Sequence, residues 1–259
     1  MSDFLNNRRV VVTGGGRGIG RAIALEFGRL GAKVNVISKS ENALRTATEI
    51  SDAGGWAQGH VGSVADESFA KAVLERVAAE QGPAEIVVNA AAIVGPWGPF
   101  RNCSMSALNE VLQINLLGTC NFMRWSLRPM EEMGFGRIIN FSGGGGAYSN
   151  PMFSPYGVSK AALVRLTETV ADEIDGSGVT VNIVAPGGVD TDMLAEIRSH
   201  DGPVRAVVDI GEPVNLTVFL AGETAAHITG RFIHVRDDYR NPDLYATRDL
   251  LKLRRLDNR

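Results

Sequence analysis

The sequence predicts an α/β fold: one doubly wound domain with a parallel sheet of about seven strands and helices on both faces. Short apolar segments alternate with segments of helical periodicity along the chain, which is typical of a parallel sheet. The chain has 259 residues, 44% of them hydrophobic, enough to bury one large core. We therefore expect a single domain over residues 1–259, with a C-terminal extension from about residue 236.

Seven apolar segments have the length and composition of buried strands. They span residues 9–13, 33–37, 56–61, 85–89, 136–142, 179–184 and 231–235. Right-handed crossovers place the intervening helices on both faces, and ligands then bind beyond the carboxyl ends of the strands. Candidate functional residues are therefore expected where strands end.

The first strand leads into a glycine-rich turn. Residues 9–13 are followed by Gly14-Gly15-Gly16-Arg17-Gly18-Ile19-Gly20 and then by helical periodicity. Glycines allow a tight turn and a close approach to a pyrophosphate, whose charge is attracted by amide N–H groups at the helix N-terminus. The strand, turn and helix together predict a dinucleotide site in a Rossmann domain.

A tyrosine and a lysine four residues apart, Tyr156 and Lys160, lie on one face of a predicted helix. Ser154 is expected to be its N-cap and Pro155 its first residue. A tyrosine hydroxyl exchanges protons near neutrality only if its anion is stabilised, and a neighbouring ammonium does this. The pair indicates proton transfer coupled to redox chemistry.

From Arg8 to about Val235 the chain resembles the short-chain dehydrogenase/reductase family. The matching motifs are Thr13-Gly14-x-x-x-Gly18-x-Gly20, Asn89-Ala90-Ala91-Ala92, Asn115, Tyr156-x-x-x-Lys160 and Pro186-Gly187-Gly188-Val189-Asp190-Thr191. They follow one another in the family's order.

The resemblance implies hydride transfer between a nicotinamide and a carbonyl carbon, with four catalytic residues: Tyr156, Lys160, Asn115 and Ser142. Tyr156 would exchange the proton of the substrate oxygen. Lys160 would lower the Tyr156 pKa and bind the nicotinamide ribose, and Ser142 would hydrogen-bond the substrate oxygen. Asn115 would distort a helix and hold a water that links Lys160 to solvent.

The resemblance also implies a set of residues that bind the cofactor. They are Gly14, Gly16, Arg17, Gly18, Ile19, Gly20, Ser38, Lys39, His60, Val61, Asn89, Ala90, Ala91, Tyr156, Lys160, Pro186, Gly187, Val189 and Thr191. NAD-preferring members usually carry Asp where Ser38 stands, whereas Arg17 and Lys39 resemble the basic pair of NADP-preferring members. We therefore expect NADP(H) to be favoured over NAD(H).

The chain departs from the family pattern at three places. His60-Val61 stands where the family usually has Asp-Val beside the adenine, and Asn89-Ala90-Ala91-Ala92 replaces Asn-Asn-Ala-Gly. The family's serine lies thirteen residues before the tyrosine, where this chain has Gly143, and Ser142 comes one residue early. The glycines at 143–146 are flexible enough to turn Ser142 towards the substrate.

Composition and charge exclude several classes of function. A net charge of −3 gives no electrostatic case for nucleic acid or anionic membrane, and no apolar run is long enough for a membrane span. The N-terminus lacks an apolar signal core, and Cys103 and Cys120 are too few for a disulfide framework. We expect a cytoplasmic enzyme with no metal, acting on a small-molecule substrate.

Substrate identity is predicted only by class. The segment between Thr191 and Glu212 is short and carries Arg198, His200, Asp201 and Arg205, which favours a polar ketone or polyol, including a sugar or cyclitol. Two alternatives remain, a 3-oxoacyl-thioester reductase of lipid or polyketide synthesis and a non-catalytic dinucleotide-binding regulator.

Two further segments are open to more than one interpretation. The aromatic residues of loop 93–100 either form a wall that stacks on a sugar or belong to the core. The leucines and arginines of residues 243–256 suggest a short helix packed on the body or on a partner subunit. The resemblance implies a homodimer or homotetramer.

Overall fold

The computed structural model describes residues 4–200, 207–246 and 251–253. Seven strands form one parallel sheet in the order β3-β2-β1-β4-β5-β6-β9. They are β1 (Arg9–Thr13), β2 (Lys33–Ser38), β3 (Trp56–Val61), β4 (Ile86–Asn89), β5 (Gly136–Phe141), β6 (Val179–Ala185) and β9 (Phe232–His234). Two short strands, β7 (Gly188–Val189) and β8 (Val207–Val208), pair separately.

Eight α-helices accompany these strands in the described residues. They are α1 (Gly18–Arg29), α2 (Asn42–Asp52), α3 (Glu67–Gln81), α4 (Met105–Leu112), α5 (Gly118–Met133), α6 (Ser154–Glu173), α7 (Asp192–Ser199) and α8 (Gly211–Ala221). A π-helical segment, Gln113–Leu117, joins α4 to α5. Short 3-10 turns occupy Phe100–Asn102, Gly144–Gly146, Glu223–Ala225 and Pro242–Tyr245.

The α/β fold with a seven-stranded parallel sheet is confirmed, and each strand end lies within one residue of the predicted one. The central strands are buried on both faces, which is why they read as continuous apolar runs. Along β1, Val10 and Val12 belong to the core under α1 and α8, whereas Val11 belongs to the core under α3 and α5. Alternate side chains on β1 thus face two helical layers.

The functional end of the sheet is set by its strand order. β1 pairs with β2 on one side and β4 on the other, so the crossovers run in opposite directions from β1. Such a reversal opens a crevice beyond the carboxyl ends of the strands. Thr13 and Asn89 end β1 and β4 side by side at this crevice.

The chain after β9 returns along the edge of the sheet. The Phe232 N–H donates to the Leu251 carbonyl at 2.7 Å, and the Leu253 N–H donates to Glu168 Oε1 of α6 at 2.6 Å. The part of the predicted C-terminal helix that is described is a 3-10 turn at Pro242–Tyr245. Residues 251–253 therefore pack on the body; residues 247–250 and 254–259 lie outside the described residues.

No helix in the described ranges is long and apolar enough to cross a membrane.

Candidate active site

The glycine-rich turn between β1 and α1 forms the floor of the crevice. Gly14 has a φ of +68°, and a Cβ atom there would lie 2.7 Å from the Ala91 nitrogen. Helix α1 begins without a side chain that caps its first N–H groups. The first N–H groups of α1 are therefore available to a ligand. They can donate to the oxygens of a pyrophosphate bound at the turn.

One arm of the crevice, with a volume of about 260 Å³, runs from this turn to the end of β2. Arg17, Ser38 and Lys39 line it, so the structure brings the predicted basic pair together. The Arg17 guanidinium is 3.6 Å from the Asp192 carboxylate, and both side chains are exposed. Such an exposed ion pair is weak and does not prevent Arg17 from binding a phosphate.

The structure does not place His60 and Val61 in the crevice. Strand β3 continues through Val61, so His60 lies inside the strand, buried, with Nε2 3.1 Å from Asn35 Oδ1. Burial lowers the His60 pKa, which favours a neutral structural side chain. This corrects the expectation that His60 lies beside the adenine.

Ser63 and Val64, which sequence analysis missed, line the crevice instead. They follow β3 and precede Asp66, whose carboxylate caps α3 by accepting from the Ser68 and Phe69 N–H groups. The capping aspartate was the available signal, because an N-cap residue marks where the preceding loop ends.

Two other predicted cofactor residues lie behind the crevice wall. Asn89 is buried and its Nδ2 donates to Asn140 Oδ1 at 3.0 Å, so its side chain faces the sheet. A Cβ atom at Gly16 would lie 2.8 Å from Ser38 Oγ and from Asn42 Cβ, and Gly16 is not among the residues that line this arm. The three alanines that follow Asn89 line the crevice.

The Tyr156–Lys160 pair lies in the first turns of α6, in a second arm of about 540 Å³. Phe153 is the N-cap and Ser154 the first helical residue, which corrects the predicted cap by one position. Both side chains of the pair are buried, and Lys160 Nζ is 5.5 Å from the centre of the Tyr156 ring. Lys160 Nζ donates to the Phe141 carbonyl at 2.8 Å.

Burial dominates the titration of both groups. It raises the Tyr156 pKa to about 12 and lowers the Lys160 pKa to about 7. The expectation from the sequence is that Lys160 lowers the Tyr156 pKa. With the protein groups alone, burial raises that pKa instead. At neutral pH Tyr156 is protonated, the state in which it can donate a proton to a carbonyl oxygen.

An aromatic row holds the Tyr156 ring in place. The ring stacks on Phe153, with centroids 4.6 Å apart and planes at 9°, and Trp97 packs on Phe153 at 4.8 Å. His200 stacks on the other side of Trp97. Trp97 of loop 93–100 thus belongs to the packing behind Tyr156, the core alternative.

Asn115 lies in the π-helical segment between α4 and α5, where the helix is distorted as expected. Its side chain is fully buried. Oδ1 accepts from the Ile93 N–H at 2.8 Å, and Nδ2 donates to the Ile93 carbonyl and to Ser159 Oγ. Asn115 therefore links the loop after β4 to α6. Its contact on α6 is Ser159, which directly precedes Lys160.

Gly143 and Ser142 occupy different positions relative to Tyr156. A Cβ atom at Gly143 would lie 2.7 Å from Tyr156 Oη, so a side chain at Gly143 would point at the hydroxyl. Ser142 lines the same arm, but its Oγ is 3.3 Å from the Gly143 carbonyl and lies against Gly146. The Ser142 hydroxyl is therefore bonded to the glycine run.

The segment after β6 forms the opposite wall of the Tyr156 arm, where Pro186, Gly187, Val189 and Thr191 all line it. Thr191 also caps α7 by accepting from the Leu194 N–H. Among the charged residues of the predicted lid, Arg198 is bonded to Asp190, and Asp201 and Arg205 lie outside the described residues.

The last residue of β9, His234, and two residues of the turn that follows, Arg236 and Asp237, also line the Tyr156 arm. The sequence departs from the family's usual ending at this place, and its local pattern predicts no site there. Within the described ranges, no group of three or more His, Cys, Asp or Glu side chains is arranged to hold a metal.

A phosphate-binding turn beside a buried Tyr–Lys pair defines the class, a nicotinamide-dependent oxidoreductase. The family model for short chain dehydrogenases matches residues 8–202. The chain belongs to the short-chain dehydrogenase/reductase family, and it is an oxidoreductase that acts on CH–OH groups with NAD(P).

Relatives in this family have several activities. The chain is 33% identical over 232 residues to the 3-oxoacyl-[acyl-carrier-protein] reductase FabG of Escherichia coli K12, covering 87% of this chain and 94% of FabG. It is 32% identical to the cis-4-hydroxycyclohexanecarboxylate dehydrogenase of Sinomonas cyclohexanicum, covering 92% of this chain and 99% of that enzyme.

A solved structure has the same fold. It is a candidate NAD(P)-dependent gluconate 5-dehydrogenase from Beutenbergia cavernae, solved with NADP at low occupancy. The TM-score is 0.84 at 33% identity, over 91% of this chain and 97% of the other.

Proposed function

We propose that the protein is an NADP(H)-dependent oxidoreductase that interconverts a ketone and a secondary alcohol on a polar, sugar- or polyol-like substrate. The observation that carries the proposal is the position of Tyr156 and Lys160 in an arm that meets the glycine-turn arm. Ile19, Ala90 and Thr191 line both arms, so one extended dinucleotide can reach from the turn to Tyr156.

A bound nicotinamide cofactor supplies or accepts the hydride. In reduction Tyr156 gives its proton to the substrate oxygen, and in oxidation it takes that proton back. Lys160 lies beside Tyr156, where its ammonium would stabilise the tyrosinate that remains after donation. Asn115 keeps α6 in place against the loop after β4 and is a positioning residue.

Ser142 is assigned a supporting role in this proposal. Its hydroxyl is bonded to the Gly143 carbonyl and lies against Gly146, so it stabilises the glycine run. Tyr156 is then the side chain that binds the substrate oxygen.

The preference for NADP(H) rests on Arg17 and Lys39, which line the end of the crevice where Ser38 replaces a carboxylate. A 2′-phosphate would bind two cations there, whereas a ribose diol would lack its usual acidic partner. The relative from Beutenbergia cavernae contains NADP.

The substrate class rests on the mixed lining of the Tyr156 arm. Phe153, Met193 and Ile197 form an apolar wall, while Asn150 and Arg236 are polar. The cyclohexanecarboxylate and gluconate enzymes named above both act on a hydroxyl of a polar carboxylic acid, as their names state.

A 3-oxoacyl-thioester reductase is the alternative favoured by the similarity to FabG. It should act on a thioester model compound. A non-catalytic regulator is favoured by Gly143 and disfavoured by the intact Tyr156, Lys160 and Asn115.

Homo-oligomerisation is proposed on the helices that carry Asn115 and Tyr156. Met105, Leu117 and Val158 are between 41% and 58% exposed there, and exposed apolar side chains in one region favour a protein interface. Light scattering should give a dimer or tetramer; a monomer would refute this.

The test of function is a substrate panel followed by NADPH oxidation and NADP reduction. It should contain keto-sugars, cyclitols, keto acids, simple ketones and 3-oxoacyl thioesters, with Tyr156→Phe beside the wild type. Turnover of the polar ketones, lost in the variant, is expected. Preferred turnover of the thioester would select the alternative, and NADPH binding without turnover of any compound would favour the regulator.

A further inference from the structure

The end of β9 and the turn after it bring two hydrogen-bond donors, Arg236 and His234, to the Tyr156 arm, which is the substrate end of the cleft. His234 ends β9, whose register with β6 sets His234 opposite Ala185, next to Pro186 of the cleft wall. Arg236 and Asp237 follow in the turn and line the same arm as Tyr156. The last strand and α6 thus both contribute to the wall of this arm.

Hydrogen bonds fix the shape of this turn. The His234 N–H donates to Asp237 Oδ2 at 2.7 Å, and the Arg236 N–H donates to His234 Nδ1 at 3.1 Å. Because Nδ1 accepts, the neutral imidazole carries its proton on Nε2, which is then a donor. Burial lowers the His234 pKa, which keeps the ring neutral.

Few charged side chains line the arm. Among the described residues that line it, they are Lys160, Arg236 and Asp237. Lys160 is buried beside Tyr156, whereas Arg236 is exposed. Arg236 is therefore the cation that a substrate in this arm can reach from solvent.

We propose that the substrate carries a carboxylate and that Arg236, with the His234 Nε2–H, binds it. This inference rests on the proposed function and narrows its substrate class. The reacting carbon lies at Tyr156 and the carboxylate at the β9 turn, so the two groups belong to different carbons. A guanidinium pairs with both oxygens of a carboxylate, and His234 adds a third donor.

The same arrangement disfavours a phosphate. A dianion calls for more than one cation, and the Asp237 carboxylate next to Arg236 would repel a dianion about twice as strongly as a monoanion. A monoanion with two acceptor oxygens matches the donors present.

The experiment compares ketones that differ only in this charge. The probes are 4-oxocyclohexanecarboxylate with its primary amide, and 5-oxohexanoate with its primary amide, reduced with NADPH. The wild type should prefer the acids. Arg236→Gln should lower kcat/KM for the acids by about 10- to 100-fold, chiefly through KM, and change the amides less than about threefold, because one charge-assisted pair is lost.

Two further variants sharpen the test. Arg240→Gln is the matched control, since Arg240 is an exposed arginine four residues away that stacks on Phe219 and Tyr239 outside the arm. It should leave the acid-to-amide ratio unchanged. His234→Asn keeps an acceptor for the Arg236 N–H and removes the Nε2 donor, so it should reduce the preference for acids by about fivefold.

Binding is measured separately, by calorimetry of the same four probes against the protein saturated with NADP. Tighter binding of the acids, weakened by Arg236→Gln and not by Arg240→Gln, supports the carboxylate site. If the acids bind in this way but no probe is turned over, only the proposed reaction is refuted. Equal binding and turnover of acids and amides, or equal effects of the two arginine variants, would overturn the inference while leaving the reaction standing.

Discussion

Gly143 and Tyr156 are close neighbours in the lining of the reaction arm. A Cβ atom at Gly143 would come within 2.7 Å of the tyrosine hydroxyl, and the stacking on Phe153 limits how far the ring can retreat. At the position where the family usually has serine, this chain has Gly143. The absence of a side chain there leaves room for the Tyr156 hydroxyl.

This geometry predicts an order of effects between neighbouring positions. Gly143→Ala should lower kcat by about tenfold or more, because overpacking displaces Tyr156. Ser142→Ala should keep kcat within about fivefold of the wild type, because it loses one supporting hydrogen bond. Steady-state kinetics on the best substrate of the panel compares the two. A larger loss of kcat in Ser142→Ala than in Gly143→Ala would indicate that the Ser142 hydroxyl binds the substrate oxygen.

Lys39 predicts the cofactor preference. Lys39→Asp removes a cation from the proposed 2′-phosphate site and adds a repulsive carboxylate, so the ratio of kcat/KM for NADPH to that for NADH should fall by about 10- to 100-fold. Lys71→Asp, at an exposed lysine of α3 paired with Glu75, controls for the change in net charge. An unchanged ratio in Lys39→Asp, or a wild type that prefers NADH, would contradict the NADP assignment.

At the scale of elements, the π-helical segment joins two parts of the site. Asn115 bonds both backbone groups of Ile93 and the hydroxyl of Ser159. Its effect on Lys160 and Tyr156 is therefore transmitted through α6.

Asn115→Ala should lower both stability and kcat. Loss of the buried bonds should reduce the free energy of unfolding by about 1–3 kcal/mol. Asn182→Ala is the matched control, since Asn182 is equally buried and also bonds two backbone groups, the Ile228 carbonyl and the Arg231 N–H, within β6 and its surroundings. Asn182→Ala should destabilise the protein to a similar degree without lowering kcat. Urea unfolding measures the stability of both variants, and steady-state kinetics measures their kcat. Equal losses of kcat in the two variants would show that Asn115 has only a structural role.

The strands and the glycine turn were predictable because their signals are local and periodic. Apolar runs such as 9–13 and 179–184 read directly as buried parallel strands, and four glycines before a helix indicate a phosphate turn. Side-chain burial near a strand end was less accessible: His60 lies inside β3 as the predicted strand bounds imply, but the burial of its ring against Asn35 depends on the neighbouring strand β2.

Long-range placement was also inaccessible to local patterns. Nothing near Arg236 predicts that the turn after β9 reaches the Tyr156 arm, because the pairing of β9 with β6 brings it there. Likewise the burial that reverses the expected Tyr156 pKa depends on packing from several elements.

For the whole molecule, the buried Lys160 predicts how stability depends on pH. Its pKa is about 7 in the folded protein and near 10.5 when unfolded. Between these values the unfolded state binds more protons, so the free energy of unfolding rises with pH. The raised Tyr156 pKa acts in the opposite sense only above pH 10.

Urea unfolding of the wild type and Lys160→Met at two pH values isolates this contribution, since the other groups are common to both proteins. From about pH 7.5 to 9.5 the wild type should gain about 2 kcal/mol relative to the variant. A difference that does not change with pH would show that Lys160 keeps an ordinary pKa.

The central claim is that Tyr156 protonates the substrate oxygen while a nicotinamide hydride reaches its carbon. The most direct measurement is deuterium transfer from NADPH labelled at the nicotinamide C4, followed by mass spectrometry of the product alcohol. The wild type should place one deuterium on the carbinol carbon, and Tyr156→Phe should bind NADPH normally but transfer it at least about 100-fold more slowly. Transfer at the wild-type rate in Tyr156→Phe, or NADPH binding by the wild type with no deuterium in any product, would contradict the account.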